Sequence, residues 1–81
     1  MVMRQVDLSD MAYRPISISY LIQTANQFDC DIYVMNRKEK ANVKKYDEIK
    51  RFRMDSNSLM FYFKGSDEGE AGERIARIFT L

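Results

Sequence analysis

Residues 24–34 read TANQFDCDIYV, and this stretch predicts a helix end, a polar turn and a strand in direct succession. The apolar residues leading up to the turn recur at helical spacing, which is typical of one buried face of an amphipathic helix over about residues 15–27. They are Ile18, Leu21, Ile22, Ala25 and Phe28. Pro15 favours the first helical turn, where its missing N–H group costs nothing.

The residues that follow this helix predict a β-hairpin. Residues 31–35 are rich in strand-forming side chains, residues 36–38 are a polar turn, and residues 40–43 are the returning strand. Cys30 stands between two aspartates just before the hairpin, with no base or cation evident beside it, so we expect a partly buried, unreactive thiol.

The outer parts of the chain alternate between strand and helix patterns. They predict a strand over residues 2–8, a short helix over residues 45–53, a turn over residues 55–58, a strand over residues 59–63 and a last helix capped by Ser66. Helical spacing turns Tyr46, Ile49 and Phe52 inward, and the core stripe of the last helix is Ala71, Ile75, Ile78 and Phe79.

The predicted order is β-α-β-β-α-β-α. Four antiparallel strands with three helices on one face form an α+β open-faced sandwich. We expect one domain spanning residues 1–81, a length that accommodates one hydrophobic core.

Composition excludes several classes of protein. The single cysteine rules out an internal disulfide, no apolar run approaches the roughly 20 residues that span a bilayer, and no metal-ligand spacing is present. We therefore expect a cytoplasmic protein without cofactor or metal. The net charge of +1 argues against general attraction to nucleic acid. Basic residues do crowd residues 37–53, but the inward spacing of the aromatics there favours core packing, so nucleic-acid binding is not expected.

Three short segments carry a family resemblance. Residues 11–15 read MAYRP and precede the first helix, TANQFDCDIYV follows, and residues 40–44 read KANVK. In this order and at these distances the segments resemble HPr, the small phosphocarrier of the bacterial phosphotransferase system. Its signature reads roughly G-[I/L]-H-A-R-P, then A-x-x-F-x-[S/A]-x-[I/V], then N-[A/G]-K-S. The resemblance extends from about residue 9 to residue 79 and implies the same open-faced sandwich.

The departures from the HPr pattern fall where HPr works. Ala12 occupies the position of the histidine that carries the phosphoryl group, and the chain contains no histidine at all. Lys45 occupies the position of the regulatory serine, and Asp10 that of the loop glycine. The resemblance thus implies a non-enzymatic, HPr-like regulatory or protein-binding module that has lost the phosphocarrier chemistry.

Two alternatives stay open. One is a phosphocarrier with an unconventional acceptor, such as Ser9, Tyr13 or Ser17. The other is a small assembly protein that associates through its open sheet. The last strand carries aromatics on both faces, so either Phe61 and Phe63, or else Met60 and Tyr62, point away from the helices, and a homodimer through that face is one candidate.

The candidate binding residues lie around the starts of the first two helices. Arg14, with Tyr13, is a candidate anion-binding group beside a helix N-terminus, although a plain solvated arginine is the simpler interpretation. The candidate partner-binding residues are Arg14, Lys44, Lys45, Asp47 and Lys50. This charged face predicts a protein partner with an acidic surface.

Overall fold

The fold is seen in a computed structural model that describes residues 1–7, 17–52 and 58–79. Its strands are β1 (Val2–Asp7), β2 (Asp31–Met35), β3 (Lys40–Asn42) and β4 (Ser58–Lys64), and its helices are α1 (Ile18–Ala25), α2 (Tyr46–Ile49) and α3 (Glu68–Ile78). The predicted element order is confirmed. Residues 53–57 lie outside the described residues, and with them most of the turn predicted at 55–58; Ser58 already belongs to β4.

The four strands form one antiparallel sheet in the order β1-β4-β2-β3. β4 pairs with β1 on one side, where Val2 lies opposite Phe63, and with β2 on the other, where Ile32 lies opposite the same Phe63. β2 and β3 form the predicted hairpin. Since side chains alternate across a strand, this register assigns every residue of the sheet to one of two faces.

The core lies between the sheet and the helices. Phe61 and Phe63 on β4 are fully buried, and the Phe61 ring centroid lies 6.4 Å from that of Phe63 and 5.5 Å from that of Phe79, which directly follows α3. Helix α3 packs on β1 and β4, and α1 packs against α3. Phe61 and Phe63 therefore face the helices, which leaves Met60 and Tyr62 on the open face of the sheet.

Tyr46 was predicted to face inward, and that prediction is wrong. Its side chain is 55 % exposed, while Ile49 and Phe52 are buried. The prediction assumed a helix over residues 45–53, but α2 is a single turn that ends at Ile49. One turn sets no helical face, so the i, i+3, i+6 spacing did not position Tyr46.

Helix α1 buries a narrower stripe than predicted. Leu21 and Ala25 are buried, but Ile18 and Ile22 are only half-buried. The stripe includes Thr24, whose Oγ1 donates a 2.9 Å hydrogen bond to the carbonyl oxygen of Tyr20. A threonine can be buried at this position because its hydroxyl is satisfied within the helix.

The link between β4 and α3 differs from the predicted cap. The N-cap of α3 is Asp67 rather than Ser66. Two residues before it, Gly65 has φ of +154° and lies directly against Cys30: a Cβ at Gly65 would lie 2.6 Å from both Cα and Cβ of Cys30. Only glycine allows this close approach of two backbone segments.

Gly65→Ala should destabilise the protein strongly, because the added methyl group meets main chain that cannot rotate away. We expect a loss of more than about 2 kcal/mol in the free energy of unfolding, measured by urea denaturation. The matched control is Gly69→Ala in α3, where an added Cβ meets nothing within 4 Å. Alanine there should leave stability unchanged or raise it by up to about 1 kcal/mol through helix propensity. Equal effects of the two substitutions would contradict the packing of Gly65 on Cys30.

Candidate functional site

The candidate anion site lies outside the described residues. Ala12, Tyr13 and Arg14 all fall between β1 and the start of α1, so the anion-binding role of Arg14 and Tyr13 stays a prediction. The described part of this region begins at Ser17, the N-cap of α1, whose Oγ accepts a 3.1 Å hydrogen bond from the backbone N–H of Tyr20. The Ser17 hydroxyl is thus already used to start the helix.

Lys45 occupies the N-cap position of α2 and makes no side-chain capping bond. Its backbone N–H donates to the carbonyl of Asn42, so the chain turns from β3 directly into the helix. The acids Asp47 and Glu48 fall in the first turn of α2, where negative charge suits the positive end of a helix. The Lys45 side chain is exposed and projects from this start of α2.

Lys44 differs from the other candidate partner-binding residues. It is half-buried, and its Nζ donates a hydrogen bond to the carbonyl oxygen of Phe28, at the end of the α1 region. Its backbone N–H donates to Oδ1 of Asn42 at 2.9 Å. Lys44 therefore joins the α1–β2 turn to the β3–α2 turn, and we assign it a structural part in the site.

The exposed residues of α2 and its ends form one small surface. Lys45, Tyr46, Asp47 and Lys50 are exposed, and the Nζ of Lys50 lies 5.6 Å from the centroid of the Tyr46 ring. We call these four residues the α2 face. It presents an aromatic ring beside two lysines, with one carboxylate among them. Sequence reasoning missed Tyr46 here, and the signal that could have found it was the polar run around it, KKYDEIK.

The turn that carries the α2 face is tied to the sheet by a further exposed side chain, that of Glu48. Glu48 Oε1 accepts a 2.9 Å hydrogen bond from the backbone N–H of Asn42 on the edge strand β3. Ile49, the buried residue of α2, inserts into the core. These two contacts fix one short helical turn that could not persist alone.

A second cluster surrounds Asp67, the residue before α3. Its two carboxylate oxygens accept hydrogen bonds from the backbone N–H groups of Asp29 at 2.8 Å and Cys30 at 3.0 Å. The N–H of Asp29 is the main cause that lowers the pKa of Asp67. Burial, followed by a hydrogen bond with Asp67 and its charge, raises the pKa of the Cys30 thiol to about 11.

The raised pKa of Cys30 agrees with the expectation of an unreactive thiol, because the thiolate is the reactive form. One part of that expectation needs correction. A cation is present nearby: the Lys44 ammonium lowers the pKa of Cys30, although by less than burial raises it. The cluster therefore joins α3 to β2 and offers no nucleophile.

The open face of the sheet carries the other exposed apolar surface. Tyr33, Met35, Met60 and Tyr62 lie there half-buried, with Met3 more than half exposed. The Nζ of Lys40 lies 5.1 Å from the centroid of the Tyr33 ring. A cavity of about 320 Å³ on this face is lined by Met1, Asp31, Tyr33, Met35, Lys40, Tyr62 and Lys64.

Within residues 1–7, 17–52 and 58–79, no three His, Cys, Asp or Glu side chains lie close enough to hold a metal ion. None of the helices described there has the length and apolar character needed to cross a membrane.

Comparison with known proteins identifies the fold. No protein-family model matches the sequence, and no curated protein sequence matches it either. Solved structures do match over nearly the whole chain. HPr-C-His from Thermoanaerobacter tengcongensis has a TM-score of 0.82 at 21 % identity, over 98 % of this chain and 91 % of that one. The phosphocarrier protein HPr from Bacillus anthracis has a TM-score of 0.79 at 23 % identity, over 98 % and 96 %.

A third similar structure is Crh, the Bacillus subtilis catabolite repression containing protein, which forms a dimer with a swapped domain. It has a TM-score of 0.67 at 20 % identity, over 100 % of this chain and 99 % of that one. At these identities the comparisons establish the fold, and they confirm the predicted likeness: this chain has the HPr-like fold, an open-faced sandwich of the kind found in HPr and Crh.

The Asp67 contacts predict a pH dependence. Because the pKa of Asp67 is lowered in the folded protein, the carboxylate stabilises the fold above its unfolded pKa, and this contribution is lost as the pH falls through the folded pKa. In Asp67→Asn, the free energy of unfolding should therefore fall less steeply as the pH is lowered, measured by urea denaturation between about pH 2 and 6. Asp47→Asn, which removes an exposed carboxylate of α2, controls for the loss of one charge. If the free energy of unfolding of Asp67→Asn fell with pH as steeply as that of the unmodified protein, the role of this carboxylate would be contradicted.

Proposed function

We propose that this chain is a single-domain, divergent member of the HPr family that acts in the bacterial cytoplasm as a non-enzymatic regulatory, protein-binding module. The fold supports the relation to HPr. The observation that carries the functional part is the combination of a chain without histidine and an exposed, charged and aromatic α2 face. The protein would bind a partner at the position where HPr-like domains dock, without relaying phosphate.

Loss of the phosphocarrier role follows from chemistry. Transfer through HPr requires a nucleophilic ring nitrogen that takes up and releases a phosphoryl group. Ala12 has no such group, and no histidine elsewhere in the sequence can replace it. Lys45 removes the second phosphorylation position as well, because an amine at that helix start cannot be switched by a serine kinase.

The α2 face supports a protein partner of acidic character. Tyr46 offers a large, rigid side chain at low entropic cost, which is typical of an anchor in a protein interface. Lys45 and Lys50 flank it, so complementary carboxylates on a partner would speed the encounter and set its orientation. Asp47 adds one opposite charge, which restricts the partner's charge pattern rather than its overall sign.

A working phosphocarrier with an unconventional acceptor is the second candidate. Ser9 and Tyr13 lie outside the described residues, and the Ser17 hydroxyl caps α1. A serine ester or tyrosine ester of phosphate also transfers its group far less readily than phosphohistidine, so this candidate needs chemistry that the chain does not display.

We also propose that the chain self-associates. The swapped dimer of Crh, a structure of the same fold, supports this idea. The exposed Met3 and the half-buried aromatics of the open face give such a dimer a surface distinct from the α2 face.

The phosphocarrier chemistry can be tested directly. Incubation with radiolabelled phosphoenolpyruvate and enzyme I should leave no label on this protein, while a histidine-containing HPr in the same assay becomes labelled. Ala12→His should restore little transfer, since the neighbouring Asp10 carboxylate repels the incoming anion. Stable label on the unmodified chain would overturn the proposed function in favour of an unconventional acceptor.

The docking surface can be tested by charge reversal. Towards a partner captured from the source bacterium, Lys45→Glu with Lys50→Glu should slow association several-fold and remove most of its salt dependence, measured by surface plasmon resonance at low and high salt. Arg14→Glu combined with Lys45→Glu tests whether the predicted anion-binding residue contributes to the same interface. The matched control is Arg74→Glu, an exposed cation on α3. Unchanged association in the Lys45 and Lys50 double variant would place the interface elsewhere.

A further inference from the structure

The open face of the sheet has an ordered pattern on its two inner strands, β2 and β4. Three pairs of directly opposite residues lie in successive rows: Asp31 with Lys64, Tyr33 with Tyr62, and Met35 with Met60. Each row thus contains two side chains of one kind, except the first, which contains two opposite charges. A surface with this arrangement is complementary to its own copy.

We propose that two copies of this chain pack open face to open face, about a two-fold axis that runs parallel to the strands, midway between β2 and β4. This proposal rests on the self-association proposed above and specifies its surface and symmetry. The two-fold places β2 of one copy over β4 of the other. Asp31 then faces the partner's Lys64, and by symmetry Lys64 faces the partner's Asp31.

The same operation brings the apolar rows together. Tyr33 faces the partner's Tyr62, and Met35 faces the partner's Met60. Stacked sheets in sandwiches cross at about 30°, by a rotation about an axis perpendicular to both sheets. If the sheets cross at the middle row, the Tyr33–Tyr62 contact is displaced least, and the long side chains of Lys64, Met35 and Met60 span the larger displacement of the two outer rows.

The charged row is available for the partner. Asp31 and Lys64 are exposed cross-strand neighbours, yet no ion pair joins these two described side chains within a protomer. The charge of Lys64 also helps to lower the pKa of Glu68. The Glu68 carboxylate oxygens, however, already contact the Met1 ammonium at 2.8 Å and the Gly65 N–H at 3.0 Å. Two intermolecular ion pairs would fix the register of the dimer, while the Tyr and Met rows supply the buried apolar area.

One sheet edge is poorly suited to the competing route, in which strands pair edge to edge. On β3, the outward N–H of Asn42 donates to Glu48, and its carbonyl accepts from Lys45. These contacts occupy both outward main-chain groups of Asn42 and so shorten the edge with which another strand could pair. Exchange of β1, the other edge strand, is the remaining alternative, and it would not depend on the Asp31–Lys64 row.

The test uses two single variants and their mixture. The unmodified protein should sediment as a dimer in analytical ultracentrifugation. Asp31→Lys and Lys64→Asp should each weaken the dimer about tenfold or more, because each places two pairs of like charges across the two-fold. Mixing the two variants should restore a heterodimer, since every pair across that contact is then opposite in charge. The mixture leaves each protomer's own cross-strand pair mismatched, so a recovery cannot come from repaired folding.

Two control variants separate this contact from the α2 face and from loss of folding. Lys45→Glu, on the α2 face, should leave the dimer unchanged. Partner binding and dimerisation can therefore fail independently, and the two failures can be told apart. Tyr62→Ala should dissociate the dimer while retaining the circular dichroism of the fold, because Tyr62 is on the open face.

Three results would each overturn the proposal. They are a monomer at every concentration, a dimer that neither charge variant weakens, and a mixture of the two variants that forms no preferential heterodimer. The second of these results would point to exchange of β1.

Discussion

The alternation of side chains along β4 is the constraint on which the rest of the structure depends. β4 is hydrogen-bonded on both sides, to β1 and β2, so its register fixes the faces of three strands at once. Phe61 and Phe63 fill the space under α3, and a slip of one residue would turn both rings to solvent. The same alternation leaves Tyr62 on the open side. The core and the candidate dimer surface are therefore two results of one register.

The other half of the molecule is organised around main-chain hydrogen bonds to side chains. Asp67 accepts the N–H groups of Asp29 and Cys30, Lys44 donates to the carbonyl of Phe28, and Glu48 accepts the N–H of Asn42. All three side chains lie at the end of the sheet where β3 and β4 finish and β2 begins, and each ties a turn at that end to a neighbouring segment. Lys45, Tyr46, Asp47 and Lys50 are among the residues that remain exposed for contact.

The sequence predicted the fold well because its signals were periodic or local. The stripe that includes Leu21 and Ala25, the hairpin after Cys30 and the apolar run of β4 each lie within one element or within two elements adjacent in sequence, so spacing alone was sufficient. The errors came where the length of a helix or a long-range contact decided the outcome. Tyr46 turned outward because α2 ends after one turn, and Asp67 replaced Ser66 as the N-cap while its carboxylate bonds to residues 29 and 30, far away in sequence. The candidate site was predicted in part. Lys45, Asp47 and Lys50 are exposed together, as a partner-binding surface requires. The hydrogen bond from Lys44 to the carbonyl of Phe28 could not be predicted, because it depends on where the folded chain places Phe28.

The two proposed surfaces lie on different parts of the fold, and this separation has a physical consequence. The α2 face belongs to the helical layer, while the rows of Asp31, Tyr33 and Met35 belong to the opposite side of the sheet. A dimer joined through the sheets would leave both α2 faces exposed and directed away from each other. Two weak charged contacts on one rigid assembly bind a repeated or dimeric partner more tightly than one, because the second contact forms within an existing complex. Under the proposed function, a dimer would in this way raise the affinity of the small, polar α2 face for such a partner.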